Sequence, residues 1–414
     1  VDIWIDAPKG FPVGDDKHGP RVLKLLQALY GTKQASRLWQ DTLAGFLLGL
    51  GFTRSKTDPC IFHLDKRRRP GDRGQIIVGI YVDDLLVAHD GLHYNWFCKE
   101  FAKRFKSTPP TPLSWFLGMS IDVHSDGSIS VSQSSYVEKM VEKFLADSDS
   151  TESVKWKAPD PNHYSSLSTA RDEAEQKLVA EKPYLSLVGS LLYAAVMTRP
   201  DIAYHTSILA KYMSNPSMAC YDAAINLLKY LNGTKDKKLV YPGATMIPEG
   251  LYDHASQIRL NHGFVAFSDS SWGNKYPYPM FGYCIYLFGG LISFASKQMK
   301  IVALSSCEAE YVAAVACCKE ITFVRNICAD LGLHLTGSLV LAVDNTAAID
   351  VAFNQGVSGR TKHFEMSLHY FRDKVSYGLI KPVYVSTTDQ RADGFTKGLD
   401  KSKFIEWRDN GQVS

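Results

Sequence analysis

The order of apolar runs after residue 263 constrains the fold most. Three runs with strand character, 264–267, 281–288 and 291–295, follow one another closely. One long helical pattern then covers 305–331. A strand at 339–343, a short helix, a helix over 364–375, a strand over 380–385 and a final helix complete the chain. Neighbouring strands pair antiparallel, whereas a strand reached through a helix returns parallel. The pattern therefore predicts a mixed five-stranded sheet with flanking helices, a mixed α/β layer fold over 263–414.

The chain upstream is less regular. Helical spacing runs over 23–50 and stops at Gly51, a C-terminal cap glycine. A strand at 61–63 precedes the basic loop of Lys66, Arg67, Arg68 and Arg69. Two apolar runs, 76–82 and 85–88, flank Asp83-Asp84 and read as a hairpin with two acids at its tip. A helix carrying Lys99, Lys103, Arg104 and Lys106 ends at Pro109-Pro110. Strand-like 115–123 and 128–131 flank Asp126-Gly127, and a helix spans 136–145. The polar stretch 146–180 reads as a linker or surface excursion. Helices are expected over 184–197, 201–213 and 219–231, followed by a polar connector at 241–262. The divisions expected are 1–132, 133–245, a linker at 246–262, and 263–414.

Composition excludes several classes. With 45% hydrophobic and 21% charged residues, the chain is neither disordered nor fibrous. Net charge is only +3, but residues 1–110 carry 17 Lys and Arg against 12 Asp and Glu. The eight Cys lack any C-x-x-C pair, as reduced thiols in an intracellular, non-secreted protein would. No apolar run of about 18 residues and no signal peptide is present, so no membrane contact is expected. The start at Val1 reads as a piece of something longer.

The acids carry the chemistry. Asp83 and Asp84 sit at the tip of an otherwise apolar hairpin, where they repel each other. A divalent cation reverses that penalty, and Mg²⁺ favours one or two carboxylates plus phosphates. A polar turn is the plain use of such a pair, and both uses stay open. After residue 263, Asp269 is expected at the end of the first strand and Asp344 at the end of the fourth. Such strand ends are common locations for functional groups in α/β sheets. Glu308 and Glu310 begin the long helix. Glu310 shares a row with Ala313, Ala314, Cys317, Ile321, Val324 and Cys328, so it lies on the core-facing stripe. Glu308 shares its row with Lys319, Thr322 and Asn326, and faces solvent or caps the first turn. Asp393 is expected to open the last helix, as a ligand or as a cap. Four acids at element ends could gather around two Mg²⁺ ions and cut a phosphodiester with metal-activated water.

These residues match a family pattern. Tyr81-Val82-Asp83-Asp84 resembles the catalytic hairpin of copia-type retrotransposon reverse transcriptases. Leu29-Tyr30-Gly31-Thr32-Lys33-Gln34-Ala35-Ser36-Arg37-Leu38-Trp39 resembles the segment that contacts template and nucleotide, although Ser36 stands where the family often has Pro. Phe116-Leu117-Gly118 resembles the primer grip. Leu187 to Tyr193 with Thr198-Arg199-Pro200-Asp201 is similar to the thumb and connection signature. Ser305 to Tyr311, Val343-Asp344-Asn345, Thr361-Lys362-His363 and Ala392-Asp393 with Phe395-Thr396-Lys397 resemble the RNase H part. The chain thus looks like the C-terminal portion of such a Pol polyprotein.

The resemblance implies a truncated reverse transcriptase fingers and palm (1–132), a helical thumb and connection (133–245) and an RNase H-like domain (263–414). It implies catalytic and metal-binding roles for Asp83, Asp84, Asp269, Glu310, Asp344 and Asp393. It implies nucleic-acid contacts for Gly31, Lys33, Gln34, Arg37, Tyr81, Phe116, Leu117, Gly118, Lys362 and His363. Two Mg²⁺ ions, with Mn²⁺ as a substitute, would serve hydrolysis of the RNA strand of RNA–DNA hybrids. A primer–template, the rest of the polyprotein or a second subunit are the other partners implied, in a cytoplasmic particle or the nucleus. The family has another catalytic Asp upstream of the segment matched by Val1 to Phe11, so polymerisation is expected to be impaired. Met280-Phe281 stands where the family has small hydroxyl residues, which bears on substrate contacts near Asp269. The rival expectation is a non-catalytic relic that binds nucleic acid or a partner.

Other features have plain uses beside functional ones. The run from Lys66 to Arg69, the basic face of Lys99 to Lys106, and Arg360, His369 and Arg372 suit phosphate backbones or solvated surfaces. Cys317-Cys318 reads as core packing. Trp272, Tyr276 and Tyr278 suit base stacking or packing on their own domain.

Overall fold

The structure, a computed structural model, describes residues 3–8, 10, 22–29, 31–65, 74–91, 93–145, 158–165, 167–243, 263–272, 279–353, 365–411 and 413. The expectations for Lys66 to Arg69, the 246–262 linker, Tyr276, Tyr278, Arg360, Lys362 and His363 lie outside the described residues. Two compact units emerge: Val1–Pro110 with Ile327–Leu333, and Thr111–Asn326 with His334–Ser414. No helix among the described residues is long and apolar enough to cross a membrane.

In the first unit, β1 (Trp4–Asp6) pairs antiparallel with β2 (Val22–Lys24). The helix expected from residue 23 begins only at α1 (Ala35–Gly49). Leu26 is 90% exposed, so its spacing marks no buried face. Gly31 adopts a positive φ of 90°, and the Thr32 hydroxyl donates to the Leu29 carbonyl, closing a turn instead. The far end of α1 behaves as expected. Gly51 takes φ 92°, its amide donates to the Leu48 carbonyl, and that of Phe52 donates to the Leu47 carbonyl.

Strands β3 (Thr53–Arg54), β4 (Ile61–Asp65), β5 (Gln75–Tyr81) and β6 (Asp84–His89) form an antiparallel sheet in that order. Alternate residues Ile76, Val78 and Ile80 of β5 point inward, the period-two pattern of a half-buried strand. They meet Leu43 and Leu47 of α1 and Phe97 of α2 (Tyr94–Arg104). In the same unit the Asp330 carboxylate accepts from the Ser55 hydroxyl at 2.7 Å and the Thr57 amide at 2.9 Å. These donors pull its pKa down to about 2.

The second unit begins with β7 (Trp115–Phe116), β8 (Met119–Val123) and β9 (Ile129–Ser132), then α3 (Ser134–Phe144). The polar stretch proves only partly a surface excursion. It contains α4 (Asn162–Ser165) and α5 (Glu173–Ala180), and Tyr164, Leu167 and Val179 are buried. A few apolar side chains anchor it despite its polar composition. Helices α6 (Tyr184–Met197), α7 (Ala203–Ala210) and α8 (Met218–Gly233) pack into the largest cluster around Leu187, Leu191, Leu227 and Leu231. The helix expected over 201–213 is divided into a 3₁₀ turn, Pro200–Ile202, and α7. Strand β10 (Leu239–Tyr241) completes the antiparallel order β10-β9-β8-β7.

Next come β11 (Phe264–Ser271), β12 (Met280–Leu287), β13 (Gly290–Gln298) and α9 (Ser306–Asp330). They lead to β14 (Leu339–Val343), α10 (Thr346–Phe353), α11 (Glu365–Ser376) and β15 (Ile380–Tyr384). The sheet order is β13-β12-β11-β14-β15. The first three strands are antiparallel, and β14 and β15 run parallel to β11. This is the expected mixed five-stranded sheet. Ala313, Ala314, Cys317, Cys318 and Ile321 form the buried stripe of α9.

Two boundaries differ from expectation in ways that matter. Strand β11 continues through Ser268, Asp269, Ser270 and Ser271, all buried and in register with Tyr283 to Met280. Asp269 therefore lies inside the strand rather than at its end, because ladder pairing carries the polar residues along. Asp393 opens a 3₁₀ turn, Asp393–Phe395, not the last helix. The last helix is α12 (Lys401–Asp409), where the Asp400 side chain accepts from the Lys403 amide as the cap.

Candidate metal centre

Three elements converge on one point. Asp269 from β11, Glu310 from the first turns of α9 and Asp344, just after β14, each offer an oxygen within 4.8 Å of the others. This is the one group of three metal-ligating side chains found among the described residues. Asp269 is 1% exposed and Glu310 6%. Glu310 Oε1 accepts from the Ser270 amide at 3.1 Å and its hydroxyl at 2.8 Å. Glu310 Oε2 is buried with no hydrogen-bond partner. The Thr387 hydroxyl donates to Asp344 Oδ2 at 3.3 Å, and Asn345 caps α10 by accepting from the Ala348 amide at 3.0 Å.

Glu308 does not face solvent. It is 9% exposed, and its carboxylate accepts from the Leu304 amide at 2.8 Å, the capping alternative. Asp393 stands beside the trio, where Lys397 Nζ lies 2.8 Å from its Oδ1. The same ammonium lies 3.6 Å from Asp269 Oδ2. The Thr396 hydroxyl also donates to Asp269 Oδ2. The sequence motif included Thr396 and Lys397 beside Asp393 without giving either a role, and it assigned none to Ser270 or Gly282. Thr396 and Lys397 follow Asp393 by three and four residues, the spacing of one turn. Gly282, a glycine within a strand, marks a close approach.

Burial raises the Asp269 pKa to about 7; Lys397 opposes the rise, while Asp393 and Asp344 add to it. Burial, followed by repulsion from Asp269 and Asp344, raises Glu310 to about 9. Burial also raises Asp393 against the pull of Lys397. For Lys397, burial disfavours the charge, but Asp269 and Asp393 outweigh it and the pKa rises. Clustered, dehydrated carboxylates cost free energy until a cation neutralises them. An orphaned buried oxygen with two acids in reach fits a hard divalent cation, which takes oxygen ligands.

Met280 and Phe281 serve packing. Met280 is buried against the helical cluster, and Phe281 packs with Met299, Ala303 and Ala309. Cys317 and Cys318 are core residues. Trp272 is 52% exposed and its indole donates to the Ala303 carbonyl.

The first unit holds the other acids. Tyr81 pairs with Asp84, leaving Val82 and Asp83 as a two-residue hairpin loop. Val82 adopts φ 52°, a conformation usually left to glycine. Trp39 Nε1 of α1 donates to the Val82 carbonyl at 2.7 Å. That bond ties α1 to the hairpin. Gly31, Lys33, Gln34 and Arg37 lie exposed at the start of α1, with Arg37 3.8 Å from Asp41. In the second unit Phe116 ends β7, and Leu117 (φ 49°) and Gly118 (φ 71°) turn the chain into β8. The Tyr193 hydroxyl of α6 donates to the Leu117 carbonyl at 2.6 Å. A Cβ on Gly118 would stand 3.0 Å from that hydroxyl, and its positive φ favours glycine as well.

The described residues thus combine a hairpin with adjoining acids at its tip and a mixed sheet that carries a carboxylate trio. Residues 1–155 match the family described as Reverse transcriptase (RNA-dependent DNA polymerase). Along most of its length the chain is similar to Pol polyproteins of copia-type retrotransposons. It is 32% identical, over 97% of its length, to the retrovirus-related Pol polyprotein from transposon TNT 1-94 of Nicotiana tabacum. It is also 32% identical, over 97% of its length, to that from transposon RE1 of Arabidopsis thaliana. It spans 29% and 26% of those two relatives. Among solved structures, LC11-RNase H1 in complex with RNA/DNA hybrid is 12% identical with a TM-score of 0.26, covering 32% of this chain and 93% of that one.

Proposed function

We propose that this chain hydrolyses the RNA strand of RNA–DNA hybrids at Asp269, Glu310, Asp344 and Asp393. The observation that carries the reading is the buried, partnerless Glu310 Oε2 within reach of Asp269 and Asp344. A divalent metal, Mg²⁺ or Mn²⁺, would be held by these acids and supplies an activated water and neutralisation of the leaving oxygen. The chain's own residues do the rest. Ser270 orients the Glu310 carboxylate through two hydrogen bonds. Thr396 orients Asp269, and Thr387 holds Asp344. The hybrid is recognised through backbone shape and 2′-hydroxyls, without base readout.

In this reading residues 1–132 form the fingers and palm portion, 133–245 the thumb and connection, and 263–414 the RNase H-like domain. Tyr81, Asp83 and Asp84 address a primer–template, with the Phe116-Leu117-Gly118 turn as the primer grip and Gly31, Lys33, Gln34 and Arg37 near the template. The test is cleavage of a labelled RNA–DNA hybrid by the purified chain in Mg²⁺, beside Asp344→Asn and an EDTA control. Metal-dependent cutting lost in Asp344→Asn is the expected result. No cutting in Mg²⁺ or Mn²⁺ by a chain with native circular dichroism overturns the reading and favours a non-catalytic nucleic-acid binder.

A further inference from the structure

We infer that Tyr193 is a positioning residue for a primer strand: its hydroxyl locks the middle peptide of the β7–β8 turn, so that the Gly118 amide faces away from α6, toward a sugar–phosphate oxygen. The inference rests on the reading of Phe116-Leu117-Gly118 as a primer grip. Phe116 pairs with Met119, so Leu117 and Gly118 form a two-residue hairpin loop. Their φ values, 49° and 71°, are both positive. Two positive values in succession mark a type I′ turn, for which Asn-Gly is the favoured pair. Leucine fits the first position poorly, because a left-handed conformation crowds its Cβ against the following carbonyl oxygen.

Local preference therefore does not select this turn; a contact from 76 residues away does, the 2.6 Å hydrogen bond from the Tyr193 hydroxyl to the Leu117 carbonyl. Tyr193 is itself held by packing. Its ring meets that of Tyr136 of α3 edge-on, with centroids 5.0 Å apart. The Tyr136 hydroxyl donates to the Ser190 carbonyl of α6 at 3.4 Å. Both helices bury their inner faces, Val137 and Met140 on α3 and Leu187 and Leu191 on α6, in the largest cluster. The hydroxyl is thus a fixed point against which the turn is set.

The consequence is directional. Type I′ and type II′ turns differ by a half rotation of the middle peptide, which here joins Leu117 to Gly118. That peptide is trans and planar, so its C=O and N–H point in opposite directions. With the carbonyl tied to Tyr193, the Gly118 N–H is turned away from α6. Leu117 and Gly118 are half-buried and Trp115 is 54% exposed, so the hairpin end is open to a ligand. A backbone donor of fixed direction suits an oxygen of the primer's sugar–phosphate chain, whatever the base sequence. Released from Tyr193, the peptide can turn over and present its carbonyl, which repels that oxygen.

Fluorescence anisotropy with an all-DNA primer–template tests this, since such a duplex holds no RNA strand to be cut. Wild type is expected to bind a recessed 3′ end about fivefold more tightly than a blunt duplex of the same length, the worth of one well-placed hydrogen bond. Tyr193→Phe keeps the ring and should lose most of that preference, while its affinity for the blunt duplex stays at the wild-type value. Adding Leu117→Asn to Tyr193→Phe should restore at least half of the lost preference, because Asn-Gly selects the same turn without the hydroxyl. A wild-type preference that survives in Tyr193→Phe overturns the inference alone. So does a loss that Leu117→Asn does not recover, or one accompanied by faster amide exchange throughout α6, which marks a packing defect. A wild type with no preference for the recessed end overturns the primer-grip reading and the inference with it.

Discussion

Gly282 stands directly opposite Asp269 in the β11–β12 ladder, and the missing side chain is what lets Thr396 reach Asp269. A Cβ on Gly282 would lie 2.5 Å from Phe395 Cβ and 3.1 Å from Thr396 Cγ2. Gly282→Ala must push the Asp393–Phe395 turn away from the sheet. Overpacking of this kind costs about 1–3 kcal/mol. Hybrid cleavage should fall at least tenfold, because the turn carries Asp393 and leads into Thr396 and Lys397. Denaturant unfolding together with cleavage kinetics measures both effects; wild-type values for both would refute the argument.

The Arg199–Asp201 pair should behave as a buried ion pair. Arg199 is 2% exposed and Asp201 is fully buried. Arg199 Nε and Nη2 reach the two Asp201 oxygens at 2.9 and 2.7 Å, and the Tyr230 hydroxyl donates to Asp201. Asp201→Asn leaves a buried guanidinium without its counter-charge and should cost about 3–5 kcal/mol. Replacing both partners, as Arg199→Met with Asp201→Leu, should recover at least half of that loss in urea unfolding. A double variant as unstable as Asp201→Asn would count against the electrostatic account.

Stability of the metal-free chain should fall with rising pH. The folded pKa values of Asp269, about 7, and Glu310, about 9, lie above the ordinary values of about 3.9 and 4.3. Each group's contribution is complete below its unfolded pKa and is lost as pH rises through the folded value. The melting temperature should therefore decline from pH 5 to pH 9. Mn²⁺ should flatten that decline by favouring the ionised acids, and Glu310→Gln should remove its upper part. Asp330 and Asp409, each lowered to about 2 by hydrogen bonds, act oppositely and cost stability only in acid. A melting temperature that rises steadily from pH 5 to 9 without metal would contradict the assignment.

Val82→Gly should be tolerated despite lying at a strand end. Its φ of 52° strains a β-branched residue by about 1–3 kcal/mol. Glycine relieves that strain and adds about 0.5–1 kcal/mol of unfolded-chain freedom, so the net change should be small or stabilising. Trp39→Phe removes the donor to the Val82 carbonyl and should cost about 1 kcal/mol. Faster amide exchange at the hairpin in Trp39→Phe, but not in Val82→Gly, is the pattern to look for.

Periodicity made much of the molecule legible from its residues. Alternation in β5, interrupted by Asp83, implies a hairpin with acids at its tip, because a strand exposes one face every second residue. Helical rows place Glu310 on the buried stripe of α9, because its neighbours at three and four residues are apolar. Strand order alone implies a mixed sheet. Local rules failed where distant partners decide. Residues 23–34 have helical spacing, yet β2 pairs with β1 and Gly31 turns the chain. Ser268 to Ser271 look like loop, yet pairing with β12 extends β11 through them and carries Asp269 into the sheet. Asp393 has the spacing of a helix cap, but Lys397 and the packing of Phe395 at Gly282 hold it in a 3₁₀ turn. The acids themselves were evident in the sequence. Which three converge depends on contacts between elements far apart in the chain, which no local period encodes, whereas the ammonium beside Asp393 comes from Lys397, one turn further on.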